Sequence, residues 1–78
     1  MNTNELKTTI LGIGSSDFSR DEYLVMQKNI QKVLGSDAAL AFGDAVECEE
    51  DQFFLENPDD LAGLWRRMVH LAREEGKV

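Results

Sequence analysis

Val46-Glu47-Cys48-Glu49-Glu50-Asp51-Gln52-Phe53-Phe54-Leu55 decides between a mixed fold and an all-helical one. Val46 to Glu49 and Gln52 to Leu55 flank polar residues as the arms of a hairpin do. Just upstream, Ala38 to Ala41 is helix-prone, and Gly43-Asp44 has the composition of a turn. With the hairpin formed, the chain reads as a small α+β domain of order βαββα, two amphipathic helices on a short sheet. With about Asp37 to Glu50 helical instead, it reads as an all-α four-helix bundle. The hairpin reading is the preferred one.

Outward from this stretch, the flanking helices are announced by their ends. In Phe18-Ser19-Arg20-Asp21-Glu22-Tyr23, Ser19 is placed to cap a helix and Glu22 to complete a capping box, with Phe18 and Tyr23 at the positions of a hydrophobic staple. The helix runs from about Arg20 to Leu34 and stops at Gly35, which takes a left-handed terminal conformation without penalty. Tyr23, Met26, Ile30, Val33 and Leu34 share its core face, while Lys28 and Lys32 turn away. On the other side of the hairpin, Asn57-Pro58-Asp59-Asp60 reads as cap, first-position proline and two acids favoured by the helix dipole. That last helix ends near Glu75, before Gly76. Leu61, Leu64, Trp65, Met68, Leu71 and Ala72 form its apolar stripe, and Arg66, Arg67, His70, Arg73 and Glu74 its polar side.

Near the N-terminus, Leu6 to Ile13 is ambiguous. Its β-branched residues favour a strand, and Leu6, Ile10 and Ile13 also match helical spacing. A strand is the expectation.

The chain has 78 residues, 42% of them hydrophobic, which is one small folded domain spanning 1–78 rather than a disordered segment. A core of this size supplies only about 3 to 5 kcal/mol. One cysteine, Cys48, forms no intramolecular disulfide and no multi-cysteine metal site, which suits a reducing, cytoplasmic setting. The start of the sequence lacks the basic segment of a secretory signal, and Ile10 to Ile13 is far too short to span a bilayer. The expectation is a soluble protein with no targeting segment, no membrane association and no cofactor.

Charge is distributed unevenly. Between Lys32 and Arg66 there is no basic residue, and nine acids there set the net charge of −7 against segments that are otherwise net +2. Such a stretch attracts positive surfaces within about 8 to 10 Å at ordinary salt. Asp44, Glu47, Glu49, Glu50, Asp51, Asp59 and Asp60 are the candidate patch for a basic surface on another protein, and the plainer alternative is solvation and helix capping. The EF-hand ligand pattern is missing, so a metal site is not expected. Arg66, Arg67, His70 and Arg73 form a secondary, basic surface. It could pair with the chain's own acids, stack copies into an oligomer, or simply keep the helix soluble. Direct nucleic-acid binding is disfavoured at this net charge. Val25 and Leu24 on the first long helix and Gly63 on the last are further hints of a partner.

Catalysis finds little support. His70 points away from the core, and Cys48 lies among carboxylates that disfavour its thiolate. Gly12-Ile13-Gly14-Ser15-Ser16, between an expected strand and a helix, weakly resembles a phosphate-cradling turn without the usual lysine or third glycine. The expectation is a small acidic interaction module, an adaptor, regulator or inhibitor and not an enzyme. A homo-oligomeric accessory subunit is the first alternative, and a phosphate-ligand domain using the Gly12 to Ser16 loop is the second.

Overall fold

A computed structural model describes residues 2–13 and 18–78, apart from the side chains of Phe18 and Cys48. The element order is α1 (Thr3–Leu11), β1 (Phe18–Ser19), α2 (Arg20–Leu34), α3 (Ser36–Ala45), β2 (Val46–Glu49), β3 (Gln52–Leu55), a 3-10 turn (Pro58–Asp60) and α4 (Leu61–Glu74). The chain is a small α+β domain. The expected hairpin is present, and the helix of the all-α alternative occurs beside it, shortened to Ser36–Ala45.

The expected N-terminal strand is a helix instead. Asn2 caps it: Oδ1 accepts from the Glu5 N–H at 2.9 Å, and Nδ2 donates to Glu5 Oε1 at 2.9 Å. The β-branched threonines are accommodated because their hydroxyls turn back on the helix. Thr8 Oγ1 donates to the Asn4 carbonyl at 3.0 Å and Thr9 Oγ1 to the Glu5 carbonyl at 2.8 Å. With both threonines exposed, Leu6 and Ile10 bury one helical face against the rest of the core.

For α2 the cap is as expected. Ser19 Oγ accepts from the Glu22 N–H and its hydroxyl donates to the Glu22 carboxylate, both at 3.3 Å. The staple partner Phe18 has its side chain outside the described residues. Gly35 alone joins α2 to α3, and it is not left-handed helical as expected. At φ 94° and ψ 176° it occupies a region open essentially to glycine. From there α3 folds back along α2 and includes Gly43 and Asp44, the pair expected to form a turn. Gly43 lies against Tyr23 and Gln27 of α2, and this packing, with Ala38, Ala39, Ala41 and Phe42 buried on the same helix, overrides the turn propensity.

The sheet is antiparallel with order β1-β3-β2, so β3 is central. Its Phe53 and Leu55 enter the core while Phe54 is half-buried on the outer face. Tyr23 stacks on Phe53, with ring centroids 4.4 Å apart, and on Phe42 at 5.9 Å, joining α2, α3 and the sheet through one aromatic column. Ile30 and Leu34 of α2 and Leu61, Trp65, Met68 and Ala72 of α4 complete the core. The other expected core residues, Met26, Val33, Leu64 and Leu71, are partly buried against it.

Before α4, Asn57 makes no side-chain cap, and Pro58 to Asp60 form a 3-10 turn rather than the first α-helical turn. At the other end the helix stops at Gly76, where φ is 80°. There the Lys77 N–H donates to the Ala72 carbonyl at 2.8 Å and the Gly76 N–H to the Arg73 carbonyl at 3.1 Å, a Schellman ending.

Candidate interaction surface

Strand alternation sorts the acids. Val46 pairs with Leu55 and Glu47 with Phe54, so the hairpin's inner face carries Leu55 and Phe53, and its outer face carries Glu47, Glu49, Gln52 and Phe54. Glu49 and Gln52 close a two-residue loop, which puts Glu50 and Asp51 at the tip. The tip is tied to the body where the Arg20 N–H donates to the Asp51 carbonyl at 3.2 Å. Four of the candidate residues, Glu47, Glu49, Glu50 and Asp51, therefore make one continuous ridge about 10 to 13 Å long beside the half-buried Phe54.

Glu50 has a φ of 58°, a left-handed conformation that costs a side-chain-bearing residue about 1 to 2 kcal/mol. Two-residue hairpin loops ordinarily place glycine, asparagine or aspartate where φ is positive.

At the hairpin base the remaining acids separate into two environments. Asp44, from the last turn of α3, and Asp60 both line a cleft of about 320 Å³ between the end of β3 and the start of α4. Glu56, counted among the nine acids of the stretch but not among the candidate site residues, is a third carboxylate of that cleft. Its signal was available: it follows the last residue of β3, where the chain must leave the sheet. Gly63 belongs to the same cleft, and a side-chain carbon there would come within 2.7 Å of Asp60 Oδ1, so the glycine makes room for a carboxylate of its own chain. Asp59 is exposed on the 3-10 turn and is not among the residues lining the cleft.

Arg66, Arg67, His70 and Arg73 all lie exposed on α4. The structure splits this group as well, because Arg67 joins the acids in lining the cleft. His70 Nε2 is 3.2 Å from Glu74 Oε1, an exposed pair within one helix. Among the described residues, Arg66, Arg67 and Arg73 form no ion pair, and neither do Asp44, Glu47, Glu49, Asp51, Asp59 and Asp60. The arginines of the stripe are thus not ion-paired to acids among the described residues, although Arg67 shares the cleft with Asp44, Glu56 and Asp60.

Gly12 ends α1, with its N–H donating to the Thr8 carbonyl at 3.1 Å. The element before the loop is a helix rather than the expected strand, and its C-terminal carbonyls disfavour an anion at Gly12. Gly14, Ser15 and Ser16 of that loop lie outside the described residues. No group of three or more His, Cys, Asp or Glu among the described residues is arranged to hold a metal ion. No described helix is long and apolar enough to cross a membrane. Comparison with protein-family models, with curated proteins and with solved structures returns no match, so any functional reading begins from this surface.

Proposed function

We propose that the chain is an interaction module, an adaptor, regulator or inhibitor, that binds a basic surface of another protein through its hairpin. The observation that carries this reading is the ridge itself. Register places Glu47 and Glu49 on one outer face with Phe54 between strand and solvent, and the loop adds Glu50 and Asp51 at its end. Carboxylates of this kind steer a positive partner and select it, and an adjoining aromatic supplies the apolar contact. The left-handed φ of Glu50 supports the same reading, since backbone strain of this kind clusters at functional sites. Asp44, Asp59 and Asp60 extend the field to the hairpin base. A cytoplasmic location suits a chain with a single cysteine.

The test is affinity capture from source-cell lysate with the tagged chain and with a Glu47→Lys, Glu49→Lys, Glu50→Lys variant, at low and high salt. The expected outcome is one basic protein retained by the native chain, released by salt and lost in the variant. Equal capture by both chains, or none by either, overturns the proposal.

A further inference from the structure

From the outer face of α2 we infer that the chain pairs with a second copy of itself, antiparallel, across a two-fold axis between Leu24 and Val25. These two side chains are 48% and 60% exposed on a helix whose other apolar residues face the core. They open a shallow groove of about 390 Å³, shared with Gln27, Lys28 and Gln31. At about 100° per residue, Asp21, Leu24, Val25, Lys28 and Lys32 fall within one arc of roughly 100°, with Arg20 about 40° beyond its Leu24 edge and Glu22 about 60° beyond its Val25 edge. In the antiparallel pairing Arg20 comes level with the uncharged Asn29 of the mate.

The order of charges along this arc names the occupant. The N-terminal end carries Asp21 and abuts the acidic hairpin tip, where Arg20 bonds to Asp51. The C-terminal half carries Lys28 and Lys32. Asp21 lies three residues before Leu24, and Lys28 three after Val25. A parallel neighbour would set like charges together. An antiparallel copy centred between Leu24 and Val25 sets Leu24 against Val25 of its mate and brings each Asp21 level with the mate's Lys28, about 5 Å from the axis. The surface is self-complementary, as a two-fold interface requires. A contact of one helix per subunit falls in the small, transient class, so the pair is a reversible one. The pairing is argued from α2 alone and does not depend on the function proposed above.

Sedimentation equilibrium from micromolar to millimolar protein tests this. The native chain shows a monomer–dimer equilibrium that salt weakens. Asp21→Lys and Lys28→Asp each weaken association by about tenfold, and the double exchange restores it. Because the variants alter helix charges, dilution of the native chain followed by amide chemical shifts gives a second reading. Shifts confined to residues 21–32 support the pairing. A monomer at every concentration, a dimer indifferent to the single exchanges, or concentration-dependent shifts on another element overturns it.

Discussion

Glu50 holds a φ of 58° in a loop of two residues, and its backbone would be unstrained as glycine. Removing the side chain relieves about 1 to 2 kcal/mol of left-handed strain and returns part of it through the greater freedom of glycine in the unfolded chain. Glu50→Gly is therefore expected to raise stability by about 0.5 to 1 kcal/mol, a shift of a few degrees in the thermal midpoint of a domain this small. An unchanged or lower midpoint would mean that the Glu50 side chain itself stabilises the loop by as much as its backbone costs. This conformation is not legible in the residue types, because glutamate carries no turn signal. The caps are different. Ser19 with Glu22 was readable from spacing, whereas the reading of Leu6 to Ile13 as a strand rested on its β-branched residues and did not weigh the Asn2 cap that the structure shows. The helix satisfies the Thr8 and Thr9 hydroxyls on carbonyls four residues back and buries Leu6 and Ile10 on one face, and this tertiary burial, which composition does not reveal, overrides the β-propensity.

The elements differ in how openly they announce themselves. Helices α2 and α4 were legible because each combines an N-terminal signal, a long apolar stripe and a terminal glycine. The hairpin was legible from its two short runs. Helix α3 was not, since Gly43-Asp44 carries turn chemistry and its helicity depends on burying Phe42 and three alanines against α2 and α4. That packing in turn depends on the corner at Gly35. Its φ of 94° and ψ of 176° are accessible essentially to glycine alone, and an added side-chain carbon would also overlap the Glu75 carboxylate. Gly35→Ala is expected to cost about 2 to 3 kcal/mol, most of what a core of this size supplies, and urea denaturation followed by helical circular dichroism measures it. Adding Glu75→Ala separates the two causes. Because that carboxylate is the far end of a flexible side chain, the second change should recover only a small part of the loss, and full recovery would place the cost in the overlap rather than in the backbone.

At the scale of the whole molecule, the uneven charge was plain in the sequence, but its division into a hairpin ridge and a basal cleft required the strand register. The molecule measures 34 × 22 × 20 Å and carries a net charge of −7. At about 0.01 M salt the screening length is near 30 Å, so acids on the ridge, the cleft and the 3-10 turn repel one another across most of the fold. At about 0.15 M it falls to roughly 8 Å, shorter than the hairpin itself. Among the described residues, the candidate acids other than Glu50 have no ion pairs for salt to weaken, so screening acts on them chiefly by removing repulsion. The thermal midpoint is therefore expected to rise as sodium chloride is added over this range. Converting Glu47, Glu49 and Glu50 to lysine brings the net charge from −7 to −1 and should flatten that dependence. A midpoint that falls with salt in the native chain would show that attraction between the acids and the arginines of α4 outweighs repulsion among the acids. The ridge would then be a counterweight to α4 within the fold, and its claim on a basic partner would be correspondingly weaker.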